Sequence, residues 1–174
     1  MASIGHFAVG LAAGRAYSNE PSTMKKAMAA FCLVSIWPDF DAVGFLFGVD
    51  YGDQLGHRGA THSLVVALVV ALAAYAFAER RGLPARRTAI LTGLVAVSHG
   101  LLDTMTFGGG LGCALLWPFS DHRFWAPLRF IPVSPIGARL LSARGLYVMV
   151  VELLIFAPFW IYATFPRKKK PAGD

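Results

Sequence analysis

Residues 64 to 78, LVVALVVALAAYAFA, form an uninterrupted apolar run that stops against a basic cluster, ERRGLPARR, at 79 to 87. Such a run has no polar face to offer water, so it must lie inside a large core or in lipid. The composition of the whole chain chooses between the two. Of 174 residues 56% are hydrophobic and 15% charged, with a mean hydropathy of +0.55, which is too apolar for an ordinary soluble domain of this length. The chain is expected to live in a membrane.

Five apolar segments follow from this frame. The first runs from about Ile4 to Tyr17, and the second from Met24 to Trp37, after a polar turn, SNEPST, with Pro38 ending it. The third spans Thr61 to Ala78, the fourth Thr88 to about Phe107 and the fifth Leu146 to Phe165. The first two fall short of the ~20 residues a full span needs, so they are expected to be recessed helices or a hairpin helped across by its flanks. The connection from Phe107 to Arg144 is long and rich in Gly, Pro and aromatic residues, and is expected to lie on the membrane interface or re-enter it, where it could line a substrate as a lid. The fold class is all-α, an integral membrane bundle of about five transmembrane or membrane-embedded helices. No internal repeat is visible, so residues 1–166 form one domain and residues 167–174 a basic cytoplasmic tail.

Charge sets the expected topology. Arg15, Lys25, Lys26, Arg80, Arg81, Arg86, Arg87, Arg167, Lys168, Lys169 and Lys170 fall on one side of a five-helix arrangement, and the positive-inside rule makes that side cytoplasmic. The N-terminus and the two long connections then face outward, and the C-terminus is cytoplasmic. The net charge of +6 suits contact with anionic lipid heads, and no basic and aromatic stripe on a soluble module suggests nucleic acid. Cys32 and Cys113 stand alone and suggest buried thiols. The opening MASIGHFAVGLAAGR lacks a basic n-region and a cleavage site, and is expected to be retained.

Placed on this topology, the ionisable residues gather at one depth. His6 lies at the outer end of helix one, Asp39 and Asp41 follow helix two, His57 and His62 precede the body of helix three, and His99 and Asp103 occupy the outer half of helix four. At 1.5 Å per residue they sit ~14 to ~24 Å above the basic ends of their helices. In SHGLLD, His99 and Asp103 are four residues apart and share a helical face. That pair alone fits a hydrogen-bonded structural contact as well as a metal chelate. Several ionisable groups at one membrane depth weigh toward a metal site, because each costs ~2.5 to 3.5 kcal/mol to insert. Imidazole and carboxylate without thiolate suit Zn²⁺, Mn²⁺ or Fe²⁺, and the number of candidates admits one ion or two.

IGHFAVG, PDFD, HRGATHS at the start of a helix and SHGLLD occur in this order along the chain. The set resembles the family of inner-membrane metal-dependent hydrolases typified by the LexA-regulated YdjM protein of bacteria. That family is in turn similar, remotely, to the zinc-dependent phospholipase C and P1 nuclease group. The resemblance implies that His6, Asp39, His62, His99 and Asp103 are metal ligands, with Asp103 as a bridge. The second HxxxE or HxxxD pair of the soluble enzymes has no counterpart, so one or two zinc ions are expected, manganese being the other candidate. It also implies a phosphoester substrate, with a phospholipid of the surrounding membrane as one candidate; on the topology above, cleavage by a metal-activated water then falls at the outer face of the bacterial cytoplasmic membrane.

Asp41, His57 and Arg58 are the remaining catalytic candidates. Asp41 is open to three roles, as a ligand, as support for a histidine or as a base that orients water, with a plain helix cap as the alternative. His57 is expected to contact substrate or support a ligand, and Arg58 to hold a phosphate oxygen or to snorkel at the interface. Ser63 is expected to cap helix three or to donate to a carboxylate, Glu152 to be a structural carboxylate or to complete the metal shell, and Asp121, His122 and Arg123 to lie on a wet surface, with a place over the site as the alternative. A metal transporter or a non-catalytic membrane protein is the alternative class; transporters place such groups nearer the midplane, often in repeated halves.

Overall fold

The computed structural model describes residues 3–166, and the basic tail with Arg167, Lys168, Lys169 and Lys170 lies outside them. Six α-helices follow in order: α1 Ser3–Tyr17, α2 Pro21–Ile36, α3 Leu64–Arg80, α4 Ala85–Thr104, α5 Ala143–Ile155 and α6 Ala157–Thr164. Helix α1 packs against α2, α4, α5 and α6, and α3 packs on α4. Two short strands, β1 Thr106–Phe107 and β2 Ile131–Pro132, pair in parallel and pin the long connection to the end of α4.

The α1–α2 hairpin is held by the absence of side chains. A Cβ on Gly10 would lie 2.7 Å from the Cα of Cys32, and one on Gly14 2.2 Å from the Cα of Met28. These two glycines, four residues apart on one face, let the backbones touch, the small-residue packing typical of helices in lipid. At the turn, Glu20 accepts hydrogen bonds from the amides of Ser22 and Thr23 and so caps α2, with Pro21 in its first turn. Bonds from Thr23 and Ser22 hold the Glu20 carboxyl down at about 2, so the cap stays ionised at any ordinary pH. Ser63 caps α3 by accepting from the amide of Val66 at 3.1 Å, one of its two expected roles.

Two prolines shape these segments. Pro38 marks the end of the α-helical part of the second segment, as expected, but the chain stays helical beyond it. Pro38 opens a 3-10 helix, Trp37–Phe47, that continues α2, because its fixed φ fits a helical start while its missing N–H removes an α-type bond. Within the fifth segment Pro158 has no N–H to give Leu154, and the chain bends by 65° between α5 and α6. All five apolar segments are helical. Among the described residues, Pro21–Phe47 is the one helical stretch long and apolar enough to cross a membrane unaided, joined by the bent α5–α6 pair if that counts as one span. Helices α1 and α3 have 15 and 17 residues, below the ~20 of a full span.

The apolar side chains point outward. Leu68 and Leu72 on α3, Leu94 on α4 and Leu154 and Ile161 on α5 and α6 are exposed, while the interior holds mainly alanines and the polar residues His6, Arg58, His62, His99, Asp103 and Glu152. Continuous exposed apolar surface over a polar and small-residue interior is the arrangement lipid stabilises and water does not. Two small apolar clusters, around Ala8, Ile131 and Phe156 and around Ala27, Phe31 and Val95, tie α1 to its neighbours.

Candidate metal centre

The sequence motifs meet at the end of the bundle where α4 stops. Asp39 comes from the 3-10 segment, His62 from a short 3-10 turn, Ala60–His62, and His99 and Asp103 from α4. One ligand atom from each of the four lies within 4.8 Å of all the others. Gly100 makes this possible: a Cβ there would lie 2.5 Å from the carbonyl oxygen of His62, so only glycine lets the His62 turn settle beside His99.

Four of the separations approach those of ligands about a common ion. His99 Nε2 lies 3.5 Å from Asp39 Oδ1, and His62 Nε2 lies 3.8 Å from Asp39 Oδ1 and 3.5 Å from Asp103 Oδ2. A tetrahedral ion with bonds of ~2.0 to 2.1 Å spaces its ligands by about 3.3 Å. The hydrogen-bond partners assign the tautomers. His99 Nδ1 donates to the carbonyl of Ser35 at 2.6 Å. Thr61 Oγ1 donates to Asp41 Oδ2 at 2.7 Å and accepts from His62 Nδ1 at 3.0 Å, with Asp41 Oδ2 a further 3.3 Å from that nitrogen. In neutral rings both Nε2 atoms then present lone pairs, and they face each other at 3.0 Å. Two lone pairs at that distance repel unless a cation or a shared proton lies between them. With two carboxylates beside them, the donor set fits a divalent metal.

His6 borders the cluster without joining that set of four. Its ring stacks on His99 with centroids 3.7 Å apart, and its Nε2 lies 3.5 Å from Asp103 Oδ1. This nitrogen is buried and makes no hydrogen bond among the described residues, a second donor aimed at Asp103 from the other side.

Asp41 organises the surroundings. One of its oxygens meets His57 Nδ1 at 2.6 Å, and the other accepts from the Arg58 amide at 3.1 Å and from Thr61. It thus supports His62 and His57, and it is not a helix cap. His57 stands edge-on to Tyr51 and to His62. Arg58 is buried, its Nε 3.1 Å from Asp103 Oδ2 and its Nη1 bonded to Thr106 Oγ1 at 2.9 Å. Burial works against its charge, but Asp103 outweighs that and raises its pKa. Interfacial snorkelling is therefore excluded for this arginine. Its backbone is left-handed, with φ 63°, unusual for a residue other than glycine.

Other expected residues fall elsewhere. Glu152 accepts from the Gly5 amide at 3.0 Å and lies outside the cluster of four. Asp121 and His122 are exposed. Arg123 is neither over the centre nor idle on a wet surface: it donates to the carbonyls of Tyr51, Asp53, His57 and Gly112, and so fastens the loop before His57 to the connection after α4. Arg123, Thr61, Thr106 and the Ser35 carbonyl carry no motif in the sequence, since each acts through backbone or hydroxyl contacts made only in the fold.

A helical membrane protein with a buried His and Asp ligand cluster at one end of its bundle is the class that fold and site define. The chain belongs to the YdjM inner membrane protein family, whose family model matches residues 1–169. It is 40% identical over 154 residues to inner membrane protein YbcI of Escherichia coli (strain K12), with 87% of each chain covered. No solved structure matches, and neither match extends to the phospholipase C and P1 nuclease group.

Proposed function

We propose that the protein is a metal-dependent hydrolase of phosphoesters, with its centre at the outer face of the cytoplasmic membrane. The observation that carries this is the pair of imidazole Nε2 atoms facing each other at 3.0 Å beside Asp39 and Asp103, open to a cleft on the Asp39 side. Asp39, His62, His99 and Asp103 would hold a divalent ion, most naturally zinc, with manganese as the alternative and His6 and Asp103 placed to serve a second. When bound, such an ion supplies Lewis acidity, acidifying water and drawing charge from a phosphoryl oxygen.

The chain's own groups have complementary tasks. Asp41 fixes the proton of His57 on Nδ1, leaving its Nε2 to take or give a proton at the cleft. Arg58 keeps a positive charge beside Asp103, and its Nη2, which makes no hydrogen bond among the described residues, can meet a phosphoryl oxygen. The outward orientation rests on the basic ends of both hairpins. Tyr17 and Thr88 bond at 3.0 Å, and Arg87 donates to the Ala16 carbonyl, so Arg15, Arg80, Arg81, Arg86 and Arg87 share the end opposite the centre.

The experiment is elemental analysis of protein purified in mild detergent without chelators, followed by a screen with soluble phosphomonoesters and phosphodiesters. Bound zinc or manganese and turnover, both lost in His62→Ala and His99→Ala, are expected. Wild type and His62→Ala with equal activity would sink the reading, and metal moving across liposomes would replace it with transport.

A further inference from the structure

The centre opens onto a cleft of about 720 Å³. Its lining joins Asp39, His57 and Arg58 to an unbroken run of chain, residues 133–140, from the connection between α4 and α5. That run offers Val133, Pro135, Ile136 and Leu140 and one cation, Arg139. Arg139 is exposed, and its side chain makes no hydrogen bond or ion pair among the described residues.

A centre serving small soluble esters has no use for such a wall. Apolar side chains facing a polar floor repay their exposure only when an apolar ligand covers them. A guanidinium without a partner, set in that wall, is a ready site for an anion. The two features together fit one molecule with an anionic head and a hydrocarbon tail. The outer surfaces of both walls agree. Phe40, Val43 and Leu46 recur every third residue along the 3-10 segment and are 61%, 51% and 84% exposed, and Ile136 and Leu141 are exposed on the other side. Residues three apart share one ridge of a 3-10 helix, so this ridge faces outward while Asp39 and Asp41 face in. The cleft lies between two surfaces that a bilayer would cover.

We propose that the cleft binds an anionic glycerophospholipid of the surrounding membrane. Its phosphate-bearing head meets Arg139 and Arg58, and an acyl chain lies along Val133, Ile136 and Leu140. Arg139 selects head charge and Ile136 holds the chain. That the bound lipid is also the ester cleaved rests on the hydrolase reading; the binding does not.

The test is native mass spectrometry of the full chain in detergent with equal amounts of dioleoyl phosphatidylglycerol and dioleoyl phosphatidylcholine. Wild type is expected to retain the anionic lipid about tenfold better. Arg139→Gln should lose that preference, Arg139→Lys should keep most of it, and Ile136→Asp should lose retention of both lipids, with metal content unchanged in all three. Arg81→Gln, at the opposite end, should behave as wild type. Equal retention of the two lipids by wild type, undiminished preference in Arg139→Gln, or an equal loss in Arg81→Gln overturns the proposal. A protein that selects phosphatidylglycerol through Arg139 yet holds no metal keeps this inference and loses the hydrolase reading. One that holds metal and cleaves a soluble phosphodiester without lipid selection does the reverse.

Discussion

Asp41 shows how much of this centre is carried by a residue that is not itself among the clustered ligands. It touches His57, the Arg58 amide, Thr61 and His62, so its charge fixes the proton on the inner nitrogen of two imidazoles. Asp41→Asn keeps the shape but offers an amide N–H where one acceptor was needed. Metal affinity, read by competition with a chromophoric chelator, is expected to fall by about 10- to 100-fold, the usual cost of losing such a support. Unchanged affinity would mean that His62 is not a ligand. Arg58 poses the opposite case, a buried cation whose loss takes one positive charge away from beside Asp103. Arg58→Ala is expected to lower stability by about 3 to 5 kcal/mol, seen as a lower Tm in detergent. Added zinc should recover part of it, because a bound cation replaces the missing charge; no recovery would argue against a metal beside Asp103. The ligand types and their common depth were legible in the sequence because His99 and Asp103 share a helical face and the basic ends fixed the level of His6, Asp39 and His62. Asp41's role was not, because its partners at 57 to 62 come from a loop whose path no periodicity reports.

At the scale of elements, the centre depends on how closely α1 can approach α2. His6 rides on α1, and its ring reaches His99 only because Gly10 and Gly14 let the two backbones touch. The spacing of these glycines was readable as a small-residue packing face, a signal that segment length and charge obscured. Gly14→Val puts a branched side chain where a Cβ already lies 2.2 Å from Met28 Cα, so the helices must part. A loss of at least about 1 to 3 kcal/mol is expected, measured as Tm, together with weaker metal binding. A variant with normal Tm would show that the hairpin is looser than described. The 3-10 continuation past Pro38 escaped the sequence reading for a related reason: proline is both a stop for one helix and a good start for the next, and only the packing of Asp39 and Asp41 against the His62 turn selects the second role.

At the scale of the whole molecule, two opposite ends must be assigned to two sides of a membrane. One end collects Arg15, Arg80, Arg81, Arg86 and Arg87, and the other holds the His and Asp cluster, the cleft and the loops fastened by Arg123. Helix length does not settle the number of crossings, since α1 and α3 are short and α4 carries Arg86, Arg87, His99 and Asp103. The cluster of Lys and Arg at one end gives an expected direction, because loops rich in those residues tend to stay on the cytoplasmic side. Both native cysteines are buried, so single introduced cysteines can be read against a quiet background. In intact cells a membrane-impermeant maleimide is expected to modify Asp53→Cys and Asp121→Cys, in the loops at the cluster end, and to spare Gly82→Cys, between α3 and α4, until the membrane is broken. The reverse pattern would place the centre in the cytoplasm, and labelling of all three in intact cells would mean that α3 and α4 do not separate the two sides. The first outcome also fixes which lipid leaflet meets the cleft, since Arg139 and the apolar wall around it lie at the end that Asp53 and Asp121 report.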